Sequence, residues 1–310
     1  MELTIPESLH ETIGGVELDY TFLDSRDVYN EGDDEETLVL ETLKNQLNPM
    51  EVLLEDQRWP VLYQLSPKRK NIVAPMDLRG TDEVLEIGAG MGACTGAIAQ
   101  RVKHVDCIDL SHRRCLANAY RNQAFSNICI YAGNFESIRL EKKYDVVALI
   151  GVLEYGGHYI HGAQDPYAAF LDRIYQLLKP GGRLYIAIEN RLGMKYFAGS
   201  IEDHLWVPFA GIQGYDKNTK VKTFSRQELM ELLGRSGYQD LYFYYPYPDY
   251  KLPSVIFSDD MLSWDAIQPL MALDAPKTRT FDDQMALMAL RGKEELKTFS
   301  NSFLVEAIRP

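Results

Sequence analysis

No apolar stretch in this 310-residue sequence approaches the length that crosses a bilayer, so no transmembrane segment is expected. The amino terminus, MELTIPESLHETIGG, is acidic and has no apolar core, which argues against a signal peptide and for a cytoplasmic location. The four cysteines, Cys94, Cys107, Cys115 and Cys129, form no C-x-x-C pair. A disulfide framework and a thiolate metal centre are therefore not expected, and buried reduced thiols remain. Basic runs are scarce, the densest being Lys68-Arg69-Lys70, and the formal charge is −13. Such a surface disfavours a phosphate backbone, so no nucleic-acid partner is expected. Internal repeats and low-complexity tracts are also missing. The remaining composition is that of an ordinary globular protein, so function has to be read from motifs.

The most informative stretch is VLEIGAGMGACTGAIAQ, residues 84–100. Val84, Leu85 and Ile87 read as a short buried strand, and Ala93, Ala97, Ile98 and Ala99 as a small-residue helix. Gly88, Gly90 and Gly92 lie between them. A glycine turn from strand to helix leaves bare backbone, and the helix-start N–H groups face whatever lies there. With Ala93 the loop also satisfies the dinucleotide pattern G-x-G-x-x-G/A, so a nicotinamide enzyme stays open at this point. Two acids favour a nucleoside ligand. Glu86 precedes the first glycine, and Asp109 ends the next apolar stretch, where a carboxylate can hold ribose hydroxyls.

Around this loop, strands and helices alternate. Strands are predicted at 82–87, 104–109, 127–131, 144–150, 183–189, 240–247 and 302–308. Helices are predicted at 92–102, 111–124, 166–178 and 225–236, with Ser111 and Ser225 as N-caps. Lys179-Pro180-Gly181-Gly182 is a helix stop. The pattern predicts an α/β, doubly wound, mostly parallel seven-stranded sheet, with ligands outside the strands' carboxyl ends. Residues 1–80 are predicted to form an N-terminal helical cap, with an acidic helix start (Glu31, Asp33, Asp34, Glu35, Glu36). Residues 81–310 form the main domain, interrupted at about 190–223 and 251–297. The first interruption carries Tyr196, Phe197, Trp206, Phe209 and Tyr215, which could form a lid or pack as core. The second holds a predicted helix near 282–291.

Glu86-Ile-Gly88-Ala89-Gly90-Met-Gly92, Asp109 and the LLKPGGRLYIAIEN junction together resemble class I S-adenosylmethionine-dependent methyltransferases. The resemblance covers residues 80–190 well and 223–247 and 300–308 more loosely. It implies a Rossmann-like fold with an antiparallel last strand, and it disfavours a nicotinamide cofactor. By this resemblance Glu86, Gly88, Ala89, Gly90 and Gly92 hold the amino-acid part of S-adenosyl-L-methionine. Asp109 takes the ribose hydroxyls and Leu110 flanks the adenine. Asn134, where the family often has aspartate, reads the adenine amino group beside Phe135. Gly151 and Val152 face the methionine moiety. LYQLSPKRKNIV, IENRLGMKYFAG, EDH and FYYPYPDYKLP are similar to methyltransferases of bacterial surface-polysaccharide clusters. That similarity implies a sugar or glycan acceptor, an association with a glycosyltransferase, and Tyr63 and Arg69 closing over the cofactor.

Methyl transfer to a hydroxyl benefits from a base. Glu154, His158 and His204 are the catalytic candidates, with His161 beside them. His158 and His161 have the spacing of a metal pair but no third ligand, so no metal is expected. Other small-molecule or lipid-linked acceptors, and a non-catalytic cofactor-binding module, are the alternative readings.

Overall fold

The computed structural model describes residues 8–24, 32–263 and 280–310. Glu31 of the acidic run and residues 264–279 of the second insertion lie outside the described residues. The chain divides into two compact units. The first comprises Met1–Leu149 with Leu177–Gly182, and the second Ile150–Gln176 with Arg183–Pro310.

The first unit begins with β1 (His10–Ile13) and β2 (Val16–Phe22), an antiparallel hairpin. It continues with β3 (Glu83–Ile87), β4 (His104–Asp109), β5 (Ile128–Gly133) and β6 (Tyr144–Ile150). The strand order is β1-β2-β5-β4-β3-β6, parallel from β2 onward. The second unit holds β7 (Leu178–Glu189) from Arg183 on, β8 (Gln239–Tyr247), β9 (Val255–Ser258) and β10 (Ser302–Ile308). Here β10 lies between β7 and β8, and all pairings are antiparallel.

The described residues thus form ten sheet strands rather than the predicted seven. Two of the extra strands, β1 and β2, fall in the segment read as an N-terminal helical cap. Val16, Leu18 and Tyr20 are buried and alternate with Glu17, Asp19 and Thr21, the period-two pattern of a half-buried strand. Gly14, at φ 59°, makes the turn that lets β1 fold back. The third extra strand, β9, lies inside the second insertion.

Helices Asp33–Lys44 and Trp59–Leu65 do follow the hairpin. Val39, Leu43, Val61 and Leu65 form one apolar cluster with Met91 of the glycine loop and Ala117 of helix His112–Arg121. Inside this packing the Arg114 guanidinium donates to Glu36 at 2.7 and 2.9 Å, both residues buried. The N-terminal helices are therefore packed directly on the loop that precedes the first crossover helix.

In the second unit, helix Arg226–Arg235 starts with a complete capping box between Ser225 and Glu228. The Arg191 guanidinium donates to the same Glu228 carboxylate at 2.6 Å, which ties the start of the first insertion to that helix. The insertion itself carries two short helices, Met194–Phe197 and Ala210–Gln213.

Candidate functional site

Strand register brings the first group of predicted residues together. Ile87 pairs with Ile108, and Asp109 with Ala132, so Gly88, Leu110 and Asn134 all follow the aligned carboxyl ends of β3, β4 and β5. The loop is pinned to its neighbour strand. Gly88 and Ala89 donate their N–H groups to the Ile108 carbonyl at 2.8 and 3.1 Å. Gly88, Gly90 and Gly92 have φ of 70°, 54° and 75°, a region that L side chains reach only with strain. A Cβ at Gly92 would come within 2.3 Å of Asn118 Oδ1, whereas one at Gly90 would meet no described atom within 4 Å. The loop is closed on its helix side and open at Gly90, the cradle that a ligand lying against bare backbone requires.

Both acids flank this loop, Glu86 within β3 and Asp109 at the end of β4. Asp109 is buried and accepts the Gly90 N–H at 2.7 Å and the Ser111 N–H at 2.9 Å. Burial raises its pKa, opposed by the Arg114 charge and these two N–H groups. Glu86 is 2% exposed and accepts from the Thr95 hydroxyl at 2.6 Å. Burial pushes its carboxyl up to about 7, against the Thr95 bond and the positive charge of Arg69. The Thr95 hydroxyl also accepts from Asn118 (3.2 Å), whose Oδ1 accepts from Asn122 (2.8 Å). Asn122 in turn donates to the Gly92 carbonyl (3.2 Å). A buried hydrogen-bond chain therefore runs from Glu86 to the last glycine.

Tyr63 and Arg69 are in this unit as well. The Arg69 guanidinium lies 4.5 Å above the Tyr63 ring, which itself packs against Trp59. One tie between this segment and the loop is Arg121, a residue that sequence reasoning missed. Its Nε donates to the Met91 carbonyl at 2.7 Å and its Nη2 to the Gln64 carbonyl at 2.8 Å. Asn134 turns its Oδ1 to the Glu136 N–H at 3.0 Å, and Phe135 is buried beside it.

The second unit holds Gly151 and Val152, which follow β6 directly in the chain, and a buried charged cluster. Glu154 is 1% exposed, and its Oε2 has no hydrogen-bond partner among the described residues. His204 and Glu189 join it, with donor atoms of the three side chains all within 4.8 Å of one another. His204 Nε2 lies 3.7 Å from Glu189 Oε2, and the Tyr155 hydroxyl is 3.3 Å from His204 Nδ1. The Lys251 ammonium lies 2.7 Å from Glu189 Oε1 and 2.5 Å from Asp203 Oδ1. Asp203 also receives Lys195 at 3.1 Å and the Tyr196 hydroxyl.

Burial first, and then the Glu189 charge, raise Glu154 to about 8. Burial alone would raise Glu189 too, but Lys251 and His204 hold it well below the usual carboxylate range. Burial alone would lower His204, yet the Glu189 carboxylate beside it raises it to about 9.

Of the predicted catalytic residues, Glu154 and His204 meet here. His158 does not: it sits exposed in the short helix Gly156–Tyr159, its ring against Tyr159. His161 is exposed as well. The aromatic set of the first insertion also divides. Tyr196 is buried, and Tyr215 donates to Glu202 at 3.0 Å, whereas Trp206 is 66% exposed. Trp206 is thus no core anchor. Glu189 and Lys251 were missed in the sequence. The signal for Glu189 was a lone acid ending the apolar run LYIAI.

Residues 85–184 match a family profile described as "Methyltransferase domain". Among curated proteins, the chain is 29% identical over 133 residues to a ubiquinone biosynthesis O-methyltransferase of Xylella fastidiosa, covering 42% of this chain and 51% of that protein. It is likewise 29% identical over 133 residues to a demethylmenaquinone methyltransferase of Tropheryma whipplei, covering 43% of this chain and 48% of that protein. The chain spans about half the length of these relatives. Their names give no support to the polysaccharide-cluster part of the resemblance. Among solved structures, a methyltransferase in complex with the Haloferax volcanii Trm112 activator has a TM-score of 0.51 at 17% identity, covering 91% of this chain and all of that one. That likeness establishes the Rossmann-like α/β fold. With Glu86 and Asp109 at the ends of neighbouring strands beside a glycine loop open to a ligand, the profile match makes residues 85–184 an S-adenosylmethionine-dependent methyltransferase domain.

Proposed function

We propose that the whole chain transfers the methyl group of S-adenosylmethionine to a hydroxyl of a small acceptor. The observation that carries this reading is the loop itself: Gly90 faces open space, with Asp109 bonded to its N–H and Glu86 buried behind it. When bound, S-adenosylmethionine supplies an electrophilic methyl group already activated by its sulfonium. The chain's residues then have to bind and align. Asp109 keeps lone pairs for the ribose hydroxyls after its two N–H bonds. The glycine backbone accommodates the amino-acid part, and Tyr63 and Arg69 cover it. Asn134 and Phe135 take the adenine, and Gly151 and Val152 belong to the methionine side. On the acceptor side, Glu154 and His204 are the groups suited to a hydroxyl and its proton.

Two acceptor classes are proposed. The segments quoted above favour a sugar or glycan hydroxyl. The O-methyltransferase among the relatives favours a hydroxyl on a quinone precursor. Methyl-labelled S-adenosylmethionine, offered with a glycan panel and a panel of hydroxylated benzenoids, separates them by product mass. Binding of NAD, with no response to S-adenosylmethionine or S-adenosylhomocysteine in calorimetry, would end the reading.

A further inference from the structure

The geometry points to a divalent-cation site made by Glu154, Glu189 and His204. This deepens the acceptor side of the reading above, while the methyl-donor side does not depend on it. Three segments supply the donors: the turn after β6, the carboxyl end of β7 and the first insertion. Two carboxylates and one imidazole are a donor set suited to first-row divalent cations such as Mn2+ and Zn2+. The donor atoms lie within 4.8 Å of one another.

The second observation is that these atoms are buried and unsatisfied. Among the described residues, Glu154 Oε2, Glu189 Oε2 and His204 Nε2 have no hydrogen-bond partner, while Glu189 Oε1 meets only the Lys251 ammonium. Glu154 and Glu189 are 1% and 0% exposed. Buried polar atoms are ordinarily paired, so three such atoms facing one another mark a position where a partner belongs.

Lys251 does not fill that position. Its ammonium lies on Glu189 Oε1 and Asp203, which leaves Glu189 Oε2 on the side of His204. The imidazole is also oriented for coordination. Nδ1 faces the Tyr155 hydroxyl, so an Nδ1–H can donate there and fix the ring, leaving Nε2 as the atom a cation would bind in place of a proton. Donors around a tetrahedral ion sit roughly 3.4 Å apart, so loading would draw these side chains together by about an ångström. Three protein ligands leave a coordination position for an oxygen of a small molecule, the chemistry of a hydroxyl or carboxylate acceptor.

The test uses the full chain after chelator treatment, titrated with Mn2+ by electron paramagnetic resonance and with Zn2+ by calorimetry. S-adenosylhomocysteine binding is measured on the same samples. The expected result is one cation per chain. Glu189→Gln and His204→Ala should each weaken it at least tenfold, with the nucleoside still bound, whereas Asp216→Asn should not. Co2+ added to the unaltered protein should give visible absorption of nitrogen–oxygen coordination that Zn2+ abolishes. This readout decides the matter if the variants do not fold. No stoichiometric cation on a protein that binds S-adenosylhomocysteine overturns the site and leaves the methyl-donor reading standing. Cation binding unchanged in both variants overturns it too. Loss of nucleoside binding alone would instead count against the donor reading.

Discussion

Adding a single methyl group at Gly90 or at Gly92 should have opposite consequences, and the difference can be worked from the loop. Both residues have positive φ, 54° and 75°, so alanine at either costs about 1–2 kcal/mol in backbone strain. At Gly90 nothing further is added, because no described atom lies within 4 Å of the new Cβ. The methyl group instead projects into the space assigned to the cofactor. Gly90→Ala should therefore melt only a few degrees lower, yet bind S-adenosylhomocysteine at least tenfold more weakly. At Gly92 the Cβ would lie 2.3 Å from Asn118 Oδ1 and 2.6 Å from Asn122 Nδ2. Both asparagines belong to the buried chain that reaches Glu86, and breaking a buried bond costs about 1–3 kcal/mol. Gly92→Ala should thus lose on the order of 2–5 kcal/mol in urea melts. Undiminished nucleoside binding by folded Gly90→Ala would refute the placement of the cofactor. Equal stability of the two variants would refute the packing argument.

Asp109→Ala should weaken cofactor binding tenfold or more in calorimetry while the protein stays folded, since charge-assisted bonds to ribose are worth about 1.5–3 kcal/mol each. The Glu86 carboxyl, at about 7 in the fold against an ordinary 4.5, contributes stability that is full below pH 4.5 and lost as pH rises through 7. Glu86→Gln should therefore retain about 3 kcal/mol more than the unaltered protein above pH 7, read as the difference between urea melts across that range. Lys251→Met strips the ammonium from Glu189 and Asp203, and a melt should show a loss of about 3–5 kcal/mol. Trp206→Ala should leave the melting temperature nearly unchanged, because the ring is 66% exposed, while lowering acceptor turnover. A matching loss of stability would show that the ring does pack.

The stretch from β3 to β6 was legible because its signals are local. Apolar runs of five to seven residues end in glycine, acid or polar turns, and Ser111 caps the helix that follows β4. The residues proposed for the cofactor were picked out for the same reason, since Glu86, Gly88, Gly90, Gly92 and Asp109 sit at or just beyond strand ends. The β1–β2 hairpin carried its period-two signal too, but four- and seven-residue strands among acidic residues are easily passed over. The charged cluster was only half legible. Glu154 and His204 stand out as polar residues in turns, but Glu189 joins them from 35 positions after Glu154, and Lys251 reaches Glu189 from 62 positions further along. His158 misled by its nearness in sequence, being four residues from Glu154 but exposed on a separate turn. Arg121 gave no motif at all, because its role is to satisfy two backbone carbonyls.

That last contact bears on how the chain could be shortened. Arg121 holds the Gln64 and Met91 carbonyls at once, and β2 lies along β5 as its parallel neighbour. A chain trimmed to start near residue 80 would lose more than a cover. It would leave one half-buried guanidinium with half its acceptors and turn β5 into a bare sheet edge, a template for pairing with another chain. Such a fragment should precipitate or form strand-exchanged assemblies rather than behave as a minimal catalytic core.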